Sequence, residues 1–172
     1  MEENQPKTGK YSLNFGLILG AISVIFALML YSMDAHATQD PSNTVISIVI
    51  MVGVIIWGII SFRKANEGFL TLGEALKLGA GIAVVSGIIA VLYTMLLVNV
   101  LDQEFAVKIA ENQKAASEAA GVMTDAQIQQ QYDGTITYFW ITYPAILIFN
   151  IITGLIIGLI GGLILKKAKP DY

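Results

Sequence analysis

The chain has 172 residues, of which 55% are hydrophobic and 13% are charged, and its mean hydropathy is +0.68. About a quarter of the residues in a soluble globular domain are charged, so this composition argues against a soluble domain and indicates an integral membrane protein. The net charge of −3 argues against nucleic acid as a partner, and the absence of cysteine excludes disulfides and thiolate sites.

Four long runs lack Asp, Glu, Lys, Arg and His, and they cover residues 11–33, 45–62, 78–101 and 136–165. Each has at least 18 residues, and a membrane-spanning helix needs about 20. Since lipid offers no hydrogen-bond partners to the backbone, we expect helices. The predicted fold class is all-α, an integral membrane four-helix bundle in a single domain of 172 residues. Its spans are predicted at about 11–33, 45–62, 77–101 and 138–165.

The first run resembles a cleavable signal peptide, because lysines precede it and Ala35-His36-Ala37 follows it. Its 23 residues exceed the roughly 7 to 15 of a signal core, so we expect a retained first span. His36 is the only histidine, and with Asp34 and Asp40 it is a candidate for a loose metal site. A solvated loop is the favoured interpretation. No HExxH, GxSxG or P-loop motif occurs, so we expect no enzyme, cofactor or metal.

The third span begins within "GFLTLGEALKLGAGIAVVSGII", residues 68–89. Glu74 and Lys77 lie three residues apart on one helix face, where they are candidates for an ion pair or an ion site at the membrane surface. Thr71 and Glu74 also form a capping-box pattern, and Lys77 can extend its amine to the headgroups. We favour the capping box over the ion site, so this stretch is predicted to be a helix start at a water boundary.

The segment 102–135 is the only sizeable part predicted outside lipid, and we expect it to be a short helical hairpin. Its first helix should end at Gly121, and a capping box of Thr124 and Gln127 should begin the second. With few large apolar residues it cannot bury a core of its own. It is therefore expected to lean on the bundle rim or on a partner, which makes it a candidate contact surface for an envelope protein.

The fourth run contains Pro144 and, near mid-depth, Asn150. Because proline is tolerated in a first turn and Trp and Tyr favour headgroups, residues 138–143 are predicted to be an interfacial belt. The alternative is one long helix kinked at Pro144. Asn150 is expected to form a hydrogen bond between helices, with a role as substrate ligand as the less favoured interpretation.

Small residues recur every fourth position on three spans, which predicts close helix packing. The packing candidates are Gly16, Gly20, Gly79, Gly87, Gly154, Gly158 and Gly162. We expect them to pack within one chain. The alternative is a homo-oligomer whose copies meet through these strips.

The positions of Lys and Arg predict the orientation. Eight lie in the two tails and the loop between spans two and three, whereas Lys108 and Lys114 lie on the opposite side. Both termini are therefore predicted to be cytoplasmic, and 102–135 extracytoplasmic.

The stretch "GFLTLGEALKLGAGIAVVSG", the acidic segment before the fourth span and the ending "ILKKAKP" resemble an uncharacterised family of four-span inner-membrane proteins. This family is a domain of unknown function common in Bacteroidota. The resemblance implies the inner membrane of a Gram-negative cell and no assigned activity. We expect a non-enzymatic structural or partner-binding bundle, with a small transporter or channel subunit as the alternative.

Overall fold

The computed structural model describes residues 6–38 and 40–168, and within these ranges the only β-structure is one isolated bridge. The α-helices in this part are α1 (Thr8–Ser32), α2 (Pro41–Ala65), α3 (Leu72–Leu96), α4 (Phe105–Ala120), α5 (Asp125–Thr137) and α6 (Thr142–Leu165). A π-helical turn, Leu97–Leu101, extends α3, and a 3-10 turn, Phe139–Ile141, precedes α6. Four of the helices are long and apolar enough to cross a membrane. The predicted all-α bundle is confirmed.

The helix ends follow local sequence signals, and several lie beyond the predicted spans. α2 begins at Pro41 because the Asp40 side chain accepts a hydrogen bond from Ser42 N at 2.8 Å, and proline suits the first helical position. Pro144 lies in the first turn of α6, so the single long helix kinked at this residue is wrong. The predicted end of α4 is confirmed by Gly121, whose φ of 64° places it in the left-handed region.

α3 packs along both α1 and α6, and glycines line both contacts. A Cβ atom added at Gly158 would lie 2.8 Å from Ala75 O and 3.3 Å from Gly79 Cα, so backbone meets backbone there. On the other side of α3, Gly16 faces Val85 and Gly20 faces Ile89. Gly79, Gly87, Gly154 and Gly162 also face another helix. Every glycine that was predicted to pack therefore does so against a helix of the same chain.

The two ends of the bundle differ in charge and structure. At one end, which we call the basic end, Leu70 and Lys167 exchange backbone hydrogen bonds of 3.0 and 2.9 Å. This bridge brings the loop after α2 next to the C-terminal end of α6, with Arg63, Lys64 and Lys166 nearby in sequence. Lys169 lies outside the described residues. At the opposite end, which we call the hairpin end, lie the α1–α2 loop and the α4–α5 hairpin.

The bundle is solid in its basic half and open in its hairpin half. The largest fully buried side chains all belong to the basic half, and they are Phe62, Ile55, Ile59, Leu70, Leu78 and Ile82. α2 shows the contrast most clearly, because its buried residues all lie between Met51 and Phe62. Val45, Ile46, Ile48 and Val49 are between 39% and 64% exposed. Thr44 and Ser47 are exposed as well. With 3.6 residues per turn, the six consecutive residues 44–49 point in all directions, so no described helix fully covers this part of α2.

Candidate functional site

Glu74 and Lys77 lie at the basic end, in the first turns of α3. Glu74 Oε2 accepts hydrogen bonds from Thr71 N at 2.7 Å and from Thr71 Oγ1 at 2.9 Å, and Thr71 Oγ1 accepts one from Glu74 N at 3.2 Å. The predicted capping box is therefore present. Glu74 and Lys77 form no ion pair with each other among the described residues, and Lys77 is exposed. Glu74 thus serves the start of α3, and the structure does not join it to Lys77 in a site.

Asn150 lies in α6 and faces Gly87 of α3. Its Nδ2 donates a hydrogen bond to Ile146 O, one turn earlier in the same helix, at 2.8 Å. The expected hydrogen bond between helices is not formed, because a carbonyl four residues earlier is within easy reach of a side chain in a helix.

The polar cluster that the sequence did not predict lies at the hairpin end. His36 Nε2 lies 2.7 Å from Asp102 Oδ2, and Lys108 Nζ donates to the same oxygen at 2.8 Å. The His36 and Asp102 side chains are only 7% and 8% exposed, whereas that of Lys108 is 42% exposed. The interpretation of His36 as part of a solvated loop is therefore wrong. We call His36, Asp102 and Lys108 the outer triad.

Aromatic side chains and a helix end hold His36 in this place. Its ring stacks on Phe105 with centroids 5.7 Å apart and meets Tyr31 edge-on at 5.0 Å. Tyr31 Oη donates to Leu101 O at 3.0 Å, at the end of the π-helical turn. Asp102 N donates to Leu97 O at 2.7 Å, which closes this turn and orients the Asp102 side chain. The metal site considered with Asp34 and Asp40 is not assembled, since no group of three or more metal-ligating side chains occurs among the described residues.

Charge fixes the protonation pattern of the outer triad. The hydrogen bond from Lys108 is the main cause that holds the pKa of Asp102 below its usual range, although burial acts in the opposite direction. The same contact raises the pKa of Lys108. Because Asp102 is then a carboxylate, we assign the proton of a neutral His36 to Nε2, which donates to it. This leaves Nδ1 as an acceptor, and it is buried without a hydrogen-bond partner among residues 6–38 and 40–168.

The hairpin rests on the α1–α2 loop through this region. Asn112 Nδ2 donates to Ala37 O at 2.9 Å, next to His36. Within the hairpin, Ser117 Oγ donates to Gln131 Oε1 at 3.0 Å, and Ala110 and Ile128 are buried between the helices. At the far end, Val122 is 84% exposed. The hairpin is thus fixed at its base and free at its tip.

A cleft opens below the outer triad, between α1, α3 and the exposed part of α2. Its cavity measures about 290 Å³. The polar lining residues are Ser23, His36, Ser47, Tyr93 and Thr94. The hydroxyl of Tyr93, like Nδ1 of His36, is buried and has no hydrogen-bond partner within the described ranges. A second cavity of about 210 Å³ shares Ser23 and Ser47 and continues toward Asn150. We call the two cavities together the outer cleft.

These features define a polytopic helical membrane protein with a closed basic half and a polar-lined cleft in its other half. The chain belongs to the family described as protein of unknown function, DUF4199, which it matches over residues 14–167. No curated protein and no solved structure matches the chain.

Proposed function

We propose that this chain is a non-enzymatic, multi-pass protein of the inner membrane of a Gram-negative cell of the Bacteroidota type, with both termini cytoplasmic. In this proposal it binds another envelope component through its outer hairpin, residues 102–135. The basic residues support the orientation, because Arg63 and Lys64, in the last turn of α2, and the lysines that follow α6 share the basic end. The hairpin then lies on the outer side.

The observation that carries the proposal is the attachment of the hairpin. The outer triad and the hydrogen bond from Asn112 to Ala37 hold its base against the bundle, so the tip projects in a defined direction. Val122 is 84% and Met123 is 36% exposed there. An ordered segment loses less conformational entropy on binding, which favours a role as a contact surface.

The charge of the hairpin indicates the kind of partner. The segment carries six acidic residues and two lysines. Glu118 and Asp125 flank the exposed Val122 and Met123 in sequence. A complementary partner would present an apolar spot with basic residues around it.

The titratable groups of the hairpin end support a non-enzymatic role. Asp102 accepts from both His36 and Lys108, and these contacts serve to hold the hairpin. Among the described residues, His36 Nδ1 and Tyr93 Oη have no hydrogen-bond partner, so neither belongs to a hydrogen-bonded Ser–base pair of the kind that activates a nucleophile.

A photo-crosslinking amino acid at Val122, installed in intact cells, tests the proposal. We expect one discrete adduct with an identified envelope protein, and a lower yield when Glu118→Lys and Asp125→Lys are added. The matched control is the same amino acid at Gln130, an exposed residue in the middle of α5. Equal, diffuse labelling at both positions would contradict the proposal, and an adduct with a second copy of the chain would instead indicate a homo-oligomer.

The alternative is a small transporter or channel subunit, and the polar lining of the outer cleft favours it. Against it, Phe62, Ile59 and Leu78 fill the basic half, and a transport path would need polar groups through the full depth. Ion or solute flux in proteoliposomes, absent from empty liposomes, would support the alternative. The proposal predicts no such flux.

A further inference from the structure

We propose that the outer cleft binds a neutral single-chain lipid whose headgroup carries hydroxyl groups, of the monoacylglycerol type. Neither the fold nor the family match assigns a ligand to this cleft. The inference does not depend on the hairpin's partner, because the two surfaces are different.

The head end of the site is defined by two buried polar atoms. Among the described residues, His36 Nδ1 and Tyr93 Oη have no hydrogen-bond partner, and both residues line the cavity of about 290 Å³, which we call the upper cavity. The His36 side chain is 7% exposed. A buried polar group without a partner is unfavourable and rare in native structures, so each such group calls for an explanation. Since Asp102 sets the tautomer of neutral His36, Nδ1 is an acceptor, and a lipid hydroxyl can donate to it while Tyr93 Oη binds a second oxygen.

The lining chemistry favours a neutral headgroup. Lys108 is the lysine of the outer triad, and it already donates a hydrogen bond to Asp102. Among the lining residues of the upper cavity, the only ionisable side chains are those of His36 and Tyr93. A phosphate or carboxylate headgroup would therefore be desolvated without a free cationic partner.

The remaining lining favours a single acyl chain. Below the polar atoms, Val24, Ala27, Leu30 and Leu97 supply an apolar wall. The second cavity continues this path past Leu19 and Met51 to Phe149. Cavities of about 290 and 210 Å³ together lie within the roughly 300–1,000 Å³ of small-molecule sites.

The exposed part of α2 gives the lipid a lateral entrance. Ser47 is exposed and also lines both cavities, and its neighbours Ile46 and Ile48 are 44% and 39% exposed. A chain lying in the adjacent leaflet can thus reach the cleft from the side, without passing through the closed basic half.

The test uses the full chain in lipid nanodiscs with a photoactivatable monoacylglycerol analogue that carries a diazirine in its chain. We expect adducts on the cleft-lining residues of α1, α2 and α3, mapped by mass spectrometry. Tyr93→Phe should lower this capture by about tenfold, the effect of one hydrogen bond of roughly 1.4 kcal/mol. Its melting temperature without added lipid should not fall, because the hydroxyl has no hydrogen-bond partner in the part of the chain that the structure describes.

A pair of variants on α1 provides the matched control. Ala27→Phe places a ring in the upper cavity and should abolish capture, whereas Ala21→Phe, at an exposed position on the same helix, should leave it unchanged. Equal capture of an anionic lysophosphatidylglycerol analogue would overturn the assigned headgroup class. Adducts scattered over the lipid-exposed surface, or a cleft that crosslinks to a second copy of the chain, would overturn the lipid site itself.

Discussion

His36 Nε2 lies 2.7 Å from Asp102 Oδ2, although the two residues are 66 positions apart in the chain. The contact joins the loop between the first two spans to the end of the third, where the hairpin begins. Lys108 donates to the same carboxylate oxygen. Asp102 therefore contributes to the attachment of the hairpin by accepting hydrogen bonds from the α1–α2 loop and from α4, beside the hydrogen bond from Asn112 to Ala37.

Asp102→Asn should loosen the hairpin without unfolding the bundle. A hydrogen bond to a charged group contributes about 1.5–3 kcal/mol, so amide hydrogen exchange in α4 should accelerate roughly ten- to hundredfold. Glu111→Gln, at an exposed position of the same helix, is the control and should leave exchange unchanged. Unchanged α4 exchange in Asp102→Asn would show that the carboxylate does not hold the hairpin.

The attachment should also be lost in acid. The pKa of Asp102 is lowered in the folded protein, chiefly by the Lys108 hydrogen bond. Its stabilising effect is therefore complete above the ordinary value of about 3.9 and declines as the pH falls through the lowered value.

Spin labels on Val45→Cys and Ala119→Cys can report this loss as a change in distance. Because the pKa of Asp102 is lowered, this side chain stays ionised between about pH 5 and 8, and we expect it to keep the distance distribution constant there. Below about pH 4 the distribution should broaden. In Asp102→Asn the distribution should already be broad at pH 7. An acid transition of the same size in both proteins would assign it to other carboxylates.

Gly158→Ala should destabilise the bundle, because the added methyl group would lie 2.8 Å from Ala75 O, a backbone atom that cannot move alone. Overpacking of this kind costs about 1–3 kcal/mol. At Gly53, in α2, nothing lies within 4 Å of an added Cβ. Gly53→Ala should therefore be stabilising by about 0.4–1 kcal/mol. Melting in detergent should separate the two variants in opposite directions, and equal melting temperatures would contradict the α3–α6 packing.

The capping box of α3 predicts a graded result. Thr71→Ala should cost about 0.5–2 kcal/mol. Glu74→Gln should melt close to the unchanged protein, since glutamine can also complete a capping box. If Glu74→Gln abolishes a cellular phenotype at normal protein level, Glu74 has a role beyond the helix start.

Local signals made much of the fold predictable. The apolar runs identify four spans, Gly121 ends α4, and the Thr-x-x-Gln pattern at Thr124 begins α5, as the structure shows. The start of α2 was missed because the apolar run begins at residue 45, although Asp40 followed by Pro41 is a helix-start signal.

The candidate site was less accessible from the sequence. Periodicity relates residues on one element, whereas the contact between His36 and Asp102 depends on how the spans are arranged. One signal was available, because His36 and Asp102 each follow an apolar run that ends on the same predicted side. The openness of α2 was not readable, since its exposed and buried halves are equally apolar.

The proposed envelope partner requires the hairpin end to lie outside the cytoplasm, and thiol labelling tests this directly. The chain has no cysteine, so Val122→Cys and Lys64→Cys each introduce a single reactive group at an exposed position. In intact cells whose outer membrane is permeabilised, a reagent that cannot cross the inner membrane should label Val122→Cys and not Lys64→Cys. Lys64→Cys should react only after the inner membrane is opened. Labelling of Lys64→Cys alone in such cells would reverse the orientation and contradict the proposal of an envelope partner.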